Sequence, residues 1–311
     1  MANYKNIYFA NFNITFGSDE EPMLEHFTDI IYPAFCSNYK RGTKEKSPIF
    51  YFNDISIKEY NNELVMVGNY IKDTWYNVYT SIMNGKLVST PESIPTAPYS
   101  RFIIFLKNHR MVIVKNERNS PDIRSFQTTV RIMLQNFIVK ANKKIKNKND
   151  KLPKALVNIV DIPLPSDIKS ALKDIKRIKS LKLRFFPLNG DINFSPFAND
   201  IDSSIKSIKS KSAYVQYTSP QSKENVQKLI SDSIGMSVAT LEVVDNNGNE
   251  TQIKNGNFHS NAKIPFDGNI SEENDSYIIK KSKENEIINI TSDENQTLYN
   301  KFKSIIKELL N

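Results

Sequence analysis

The chain has 311 residues, a length that allows about two domains of ordinary size. Its 39% hydrophobic and 24% charged residues are typical of a globular protein and exclude a fully disordered one. A net charge of +8 favours an anionic partner, and the single cysteine excludes an intrachain disulfide and a thiolate metal cluster. With no apolar run near the roughly 18 residues that span a bilayer, this composition predicts a cytoplasmic protein.

The first part of the chain predicts an antiparallel sheet with helices. Apolar residues that alternate up to Phe16 predict a strand, and apolar residues spaced by three and four predict an amphipathic helix over residues 20–35. Strand patterns follow at residues 49–57, 63–71, 75–83, 101–106 and 111–114. The connection 89–98 contains three prolines, which predicts a surface loop.

A long helix is expected to close this first domain. Ser120-Pro121-Asp122 is a helix start signal with Ser120 as the N-cap, and an apolar stripe runs from Ile123 to Ile138. The following KANKKIKNKNDKLPK is polar and basic. We therefore expect an N-terminal domain over residues 1–142 and an exposed basic linker over residues 143–154.

The remaining residues, 155–311, alternate strand and helix patterns. Strands are predicted at 156–162, 181–186, 214–218 and 277–281, a hairpin at 240–253, and helices at 166–178, 198–208 and 222–234. An amphipathic helix over 293–310 is expected to pack inside the protein or between protomers. The sequence thus predicts an α+β protein of two domains, an N-terminal antiparallel sheet with two helices and a C-terminal alternating α/β sandwich.

Positive charge is concentrated in the middle of the chain. Residues 139–212 contain 17 Lys and Arg against 7 Asp, a net charge of +10, although the whole chain carries only +8. On the predicted helix 166–178, Lys169, Lys173 and Lys176 with Arg177 fall on one face, where they can follow a phosphate backbone. The residues expected to contact nucleic acid are Lys140, Lys143, Lys144, Lys146, Lys148, Lys169, Lys173, Lys176, Arg177, Lys206 and Lys209.

These contacts predict non-specific, salt-sensitive binding to double-stranded DNA, because lysine contacts with phosphate carry little base information. Binding to single strands would require exposed aromatic residues among the lysines. The aromatic candidates include Tyr214 and Tyr217, and most of them have the pattern of core residues. A solvated face without a partner is the plainer alternative for the same charge pattern.

No pattern typical of an enzyme is present in the sequence. It contains no glycine-rich phosphate loop and only three isolated histidines, so neither a nucleotide cofactor nor a metal is expected. One alternative is a metal-dependent nuclease built on Glu242, Asp245 and Lys254. Another is a module whose basic face binds an acidic protein or an anionic lipid surface.

Three segments resemble the RexA-type phage-exclusion proteins of temperate phages. They are RFIIFLKNHRMVIV at 101–114 with the helix that follows, LKLRFFPLNGDINFSPFANDI at 181–201, and TLEVVDNNGNETQIKNGNFHS at 240–260. The resemblance implies a two-domain homodimer in the cytoplasm that binds DNA beside a small membrane protein in antiviral defence. The N-terminal region matches least, and the resemblance assigns no functional residue.

Overall fold

The protein has an α+β fold, as the sequence predicts. The computed structural model describes residues 3–42, 47–187, 196–233, 235–255, 258 and 262–310. Its strands are β1 (Tyr4–Phe16), β2 (Glu21–Pro22), β3 (Lys40–Arg41), β4 (Ile49–Tyr60), β5 (Glu63–Met83), β6 (Lys86–Thr96), β7 (Tyr99–Phe105), β8 (Arg110–Lys115), β9 (Ala155–Asp161), β10 (Ile175–Phe185), β11 (Ala213–Thr218), β12 (Ser237–Asp245), β13 (Glu250–Lys254) and β14 (Lys263–Pro265). Its α-helices are α1 (Tyr32–Phe35), α2 (Ile123–Asn142), α3 (Pro165–Lys173), α4 (Pro196–Ser207), α5 (Lys223–Asp232), α6 (Asp275–Lys283), α7 (Glu286–Asn289) and α8 (Asp293–Lys307). Among these described residues, no helix is long and apolar enough to cross a membrane.

Ten antiparallel strands form the first sheet. Their order is β14-β1-β8-β7-β5-β4-β3, with β2 and β9 also paired to β1 and β6 paired to β5. The central strands carry apolar residues on both faces, a pattern typical of strands that are covered on both sides. In β7, Phe102 and Ile104 lie in one hydrophobic core, whereas Ile103 and Phe105 lie in the other. The first sheet therefore separates two cores.

Helices α2 and α8 close the core on one face of the first sheet. The ring of Phe126 in α2 packs against five other aromatic rings, at centroid distances of 5.1–6.4 Å. Tyr299 of α8 is buried in the same core, and its hydroxyl accepts a hydrogen bond of 2.8 Å from the amide of Leu64. Of the two arrangements expected for the C-terminal helix, packing inside the protein is the one observed.

The second sheet, β11-β10-β12-β13, packs on the other side of the first sheet together with α3, α5 and α6. Leu181 and Leu183 of β10 point into this core, together with Leu241 of β12. Lys182 and Arg184, which alternate with these leucines along β10, are exposed. One face of the second sheet is therefore covered and the other is open.

Segments on both sides of the predicted linker contribute to the first sheet. β9 pairs with residues 10–16 of β1, and β14 pairs with residues 4–6. The buried Arg101 of β7 donates two hydrogen bonds, of 2.8 and 2.7 Å, to the buried carboxylate of Asp275 in α6. Residues 143–154 are mostly exposed and connect α2 to β9. Pairing along β1 and this ion pair thus tie the second half of the chain to the first.

The predicted helix 166–178 is wrong in its last turn. Helix α3 ends at Lys173, and β10 begins at Ile175. Two register shifts in the pairing of β10 with β12, between Ile175 and Arg177 and between Ile178 and Ser180, each add a residue to the strand. Because of these bulges, buried residues recur every three positions, at 175, 178 and 181, and imitate a helical spacing.

Two further segments differ from the prediction. The predicted loop 89–98 lies largely within β6, which pairs only with β5 and tolerates proline because it is an edge strand. The predicted strand 277–281 lies within helix α6, whose buried residues Asp275, Ile278, Ile279 and Ser282 follow the helical period. A short apolar run such as Tyr277-Ile278-Ile279 does not distinguish a strand from a helix.

Two helix predictions need correction in detail. The helix predicted over 20–35 begins at Met23 and changes from 3-10 to π to α geometry, since Pro33 has no amide hydrogen to continue a regular ladder. The N-cap of α2 is Asp122 and not Ser120. The Asp122 side chain accepts a hydrogen bond of 2.9 Å from the amide of Ser125, whereas Ser120 lies before the helix.

Candidate nucleic-acid interface

Five predicted contact residues lie at the end of α2 and just beyond it. Lys140 is in the last turn of the helix, and the other four follow in the connection to β9. All five side chains are exposed, and none forms an ion pair with another described residue. Their charges therefore face solvent, where they can contact an anionic partner. These residues are Lys140, Lys143, Lys144, Lys146 and Lys148.

Four others do not share one helical face as expected. Lys169 and Lys173 are exposed on α3, but Lys176 and Arg177 are exposed residues of β10. The expected row of four charges at successive helical turns is wrong, because the chain changes from helix to strand at Asp174. Contact of each residue with nucleic acid stays a prediction.

The last two predicted residues are already paired with carboxylates. Lys206 contacts Asp202 one helical turn earlier in α4, at 2.8 Å, and Lys209 contacts Asp19 at 3.3 Å. Partial burial lowers the pKa of Lys206, but its hydrogen bond to Asp202 and the surrounding carboxylates outweigh this and raise it above the ordinary value. The charges of both lysines are thus partly offset by these acids, unlike those of the lysines after α2.

A basic cleft lies between α2, β9 and one end of the second sheet. Its volume is about 1220 Å³, above the roughly 300–1,000 Å³ that is usual for a small-molecule site. Six basic side chains line it against two acidic ones, Asp122 and Asp161. The basic residues are Lys115, Arg124, Arg131, Lys154, Arg184 and Lys254. They come from five parts of the chain that are distant in sequence.

Helix α2 turns its polar face towards this cleft. Arg124, Gln127 and Arg131 recur at spacings of three and four, followed by Gln135 and Asn142. The opposite face of α2 is buried in the aromatic core described above. Asn142 and Leu152 line the same cleft, so the exposed lysines between them in the chain lie next to it, although they do not line it.

The outer edge of β9 forms another wall of the cleft. The amide of Gly17 donates to the carbonyl of Lys154, and the amide of Ile162 donates to the carbonyl of Phe9, so the even-numbered residues of this segment bond to β1. The amides of the odd-numbered residues 155, 157 and 159 then face the cleft, where no described strand pairs with them. Outward amides beside basic side chains are suitable donors for phosphate oxygens.

Asp161 is the carboxyl most affected by this environment. Burial raises its pKa to about 6, the charge of Asp122 adds to the rise, and Lys115 opposes it. Asp122 itself caps α2, as described above. Of the two acidic groups of the cleft, Asp122 thus caps a helix and Asp161 has a raised pKa. Because six basic side chains outnumber these two, the net charge of the lining stays positive.

The open face of the second sheet continues from the cleft. Arg184 lies opposite Tyr214 and Lys182 lies opposite Gln216 in the pairing of β10 with β11, so these four side chains share the open face. The Lys182 ammonium lies 4.5 Å, and the Arg184 guanidinium 5.7 Å, from the centre of the Tyr214 ring. Tyr214 is 56% exposed. An exposed aromatic ring with two cations over it therefore lies at the edge of the cleft.

The residues of the nuclease alternative are not brought together as a metal site. Glu242 and Asp245 lie three positions apart on β12, so their side chains point to opposite faces of the strand. Glu242 accepts a hydrogen bond of 3.0 Å from Ser180, and Asp245 accepts backbone hydrogen bonds within its own turn. The described residues contain no cluster of three or more His, Cys, Asp or Glu side chains able to hold a metal ion.

Comparisons of the chain with protein-family models, with curated proteins and with solved structures found no match.

The sequence prediction missed the six cleft residues as a group and the position of Tyr214 on the open face. The pattern Leu181-Lys182-Leu183-Arg184-Phe185 was the available signal, because basic residues at alternate positions of a strand occupy one face. A spacing of seven between Arg124 and Arg131 likewise places both on one face of α2. That these two faces meet at one cleft depends on how α2 and the second sheet pack around β9.

Proposed function

We propose that the protein binds nucleic acid without base preference, through the basic cleft and the lysines that follow α2. The observation that carries this proposal is the convergence of six basic side chains from five separate parts of the chain on one cleft. A solvated charged face needs no such convergence. Most of these side chains are exposed, and outward β9 amides supply further donors, so the cleft combines the two kinds of group that bind phosphate oxygens.

A pair of charge-reversal variants tests the cleft. The first is Arg131→Glu with Lys154→Glu, which changes two exposed residues of the cleft. The control is Lys280→Glu with Lys301→Glu, which makes the same change in net charge at two exposed residues that neither line the cleft nor belong to the predicted contacts. Affinity is measured by fluorescence anisotropy with labelled single-stranded and duplex oligonucleotides of about 20 nucleotides, at about 50 to 300 mM salt.

We expect the cleft variant to lose at least about tenfold in affinity and the control to lose much less, with affinity falling as salt rises. Equal losses in both variants would mean that net charge alone governs binding, which contradicts a role for the cleft. No binding by the unaltered protein at low salt would overturn the proposed function itself.

The biological role is a separate part of the proposal. An antiviral role in phage exclusion, as a cytoplasmic homodimer beside a small membrane protein, is supported only by the sequence resemblance. It is tested by phage plating on cells that produce the unaltered protein, the cleft variant or the control variant. Restriction of plaque formation by the unaltered protein and the control, but not by the cleft variant, is the expected result. Equal plating on all three and on cells without the protein would remove the antiviral role and leave the nucleic-acid proposal intact.

A further inference from the structure

We infer that the open face of the second sheet binds single-stranded nucleic acid, with Tyr214 stacking on a base. This inference rests on the proposed function and specifies the form of nucleic acid. Tyr214 has the exposure that stacking requires, and the Lys182 and Arg184 side chains that now lie over its ring are long enough to turn to the neighbouring phosphates when a base takes their place. The bases of a duplex are already stacked on one another, so none of them is free to stack on Tyr214.

The position of Tyr214 relative to the cleft supports the same inference. Arg184 lies opposite Tyr214 on the open face and also lines the cleft. Phe186 and Val238 line the cleft at the same end of the sheet, and the Arg184 guanidinium lies 5.1 Å from the centre of the Phe186 ring. A nucleic-acid strand whose backbone lies along the cleft therefore reaches the open face beside Tyr214, where one of its bases can stack on the ring.

Tyr217 of the same strand provides a matched control. It is 37% exposed but lies opposite Leu181, whose side chain is in the core, so it belongs to the covered face of the sheet. We compare Tyr214→Ala, Tyr214→Phe and Tyr217→Ala in anisotropy titrations with oligo(dT) and with a duplex of the same length. Thermal melting of each variant checks that the fold is kept.

Tyr214→Ala is expected to weaken binding of the single strand roughly 5- to 150-fold, the range of one lost stacking contact, and to change duplex binding little. Tyr214→Phe keeps the ring and is expected to bind like the unaltered protein, and Tyr217→Ala likewise. If the protein binds duplex but not oligo(dT), or if Tyr214→Ala has no effect on oligo(dT), this inference is wrong while the proposed function stands. If it binds neither oligonucleotide, the proposed function fails first.

A second inference comes from an independent feature, the hairpin made by residues 74–83 of β5 and by β6. Beyond Asp73, β5 pairs only with β6 among the described strands, so the hairpin extends from the first sheet as a two-stranded arm about 30 Å long. Seven of its large hydrophobic side chains are between 48% and 75% exposed. These are Trp75, Tyr76, Tyr79, Ile82, Met83, Leu87 and Ile94.

The geometry points to a second copy of this chain as the partner of the arm. A two-stranded hairpin is marginally stable in water, and both outer edges of this one have unpaired backbone groups. Insertion into a bilayer would leave those groups without partners in hydrocarbon, which argues against lipid. Antiparallel pairing of one edge with the same edge of a second copy satisfies the groups of that edge and is symmetric by construction.

Charge and area also fit a second copy. The arm contains one basic residue, Lys86, and one acidic residue, Glu92, so two arms meet without the repulsion that the rest of a chain of net charge +8 would cause. The pairing within the hairpin places Tyr76, Ile82, Leu87 and Ile94 on one face and the other three on the opposite face. When two arms pair along an edge, side chains of both copies become neighbours on each face, which reduces the apolar area that each copy exposes.

The test compares Leu87→Asp with Ile208→Asp by light scattering coupled to size-exclusion chromatography. Leu87 is 74% exposed on the arm and Ile208 is 72% exposed elsewhere, so the two changes are matched in exposure. We expect a dimer for the unaltered protein and for Ile208→Asp, and a monomer for Leu87→Asp. Trp75 is the only tryptophan and lies on the arm, so its emission should shift to the red as the dimer is diluted.

Two results would overturn this second inference. One is an unaltered protein that stays monomeric up to about 100 µM, a concentration at which a dimer with a Kd of about 1 µM would be nearly complete. The other is a dimer that Leu87→Asp leaves unchanged. Flotation of the monomer with neutral phosphatidylcholine vesicles, lost in Leu87→Asp, would assign the arm to a lipid surface and contradict the inference as well.

Discussion

The two sheets of this protein differ in how many of their faces are covered. Both faces of the first sheet are packed, so its central strands carry apolar residues on both faces, and its buried Arg101 is paired with Asp275. The second sheet is packed on one face and exposes Lys182, Arg184 and Tyr214 on the other. The difference indicates a division of labour, in which the first sheet stabilises the molecule and the open face of the second is available to a ligand.

The largest effect is expected from breaking the ion pair in the covered sheet. Asp275→Ala leaves the Arg101 guanidinium buried without its carboxylate, which should lower the free energy of unfolding by about 3–5 kcal/mol. Calorimetry should show one transition at a lower temperature, since β9 and β14 tie both halves of the chain to β1.

The second sheet provides the contrasting pair. Glu250 bonds to Lys179 at 2.8 Å, but its side chain is 65% exposed, so Glu250→Ala should leave the melting temperature unchanged. An equal loss of stability in Glu250→Ala and Asp275→Ala would contradict the division between the two sheets. Two separate transitions in calorimetry would show instead that the halves unfold independently.

A smaller effect, dependent on pH, is expected where the two sheets meet at the cleft. The pKa of Asp161 is about 6 in the folded protein, above its ordinary value of 3.8. Between these two values the folded protein holds a proton that the unfolded chain has lost, so stability falls as pH rises through this window, and the full cost is present above pH 6. Asp161→Asn should therefore stabilise the protein at pH 8, by up to about 3 kcal/mol, and have no effect below pH 4.

Denaturant unfolding at pH 4 and pH 8 measures this difference. The unaltered protein at each pH is the control, because the Asn variant should remove the pH dependence that comes from this one group. If Asp161→Asn changes the free energy of unfolding by the same amount at pH 4 and at pH 8, the Asp161 carboxyl ionises normally and the cleft is well solvated.

Local patterns predicted the covered sheet better than the open one. The runs in β7 and β8, and the apolar stripe of α2, are continuous in sequence and were placed correctly in type. In β10 the two bulges changed the period of the buried residues, so a strand was predicted as the end of a helix. Bulges depend on pairing with β12, which is more than 50 residues away, and local spacing does not contain that information.

The candidate site was predictable only in part. The lysines after α2 were recognised from composition, and the structure leaves them exposed next to the cleft. The cleft itself requires β9 to pair with β1 and α2 to lie over it, which are contacts between distant segments. The sequence did not decide whether Tyr214 is exposed, because alternation shows which residues share a face of β11 but not which face is left open.

A small effect should come from a charge that lies off both sheets. Lys206 pairs with Asp202 within α4, and its own side chain is 45% exposed whereas that of Asp202 is 11% exposed, so Lys206→Gln should lower the free energy of unfolding by about 1 kcal/mol. Because its carboxylate partners already offset its charge, we expect little loss of nucleic-acid affinity, in contrast to Arg131→Glu with Lys154→Glu. Anisotropy titration of Lys206→Gln beside Arg131→Gln, a matched removal of one positive charge, measures this. A loss as large for Lys206→Gln as for Arg131→Gln would show that the bound strand passes over α4, so that the ligand surface extends beyond the cleft and the open sheet.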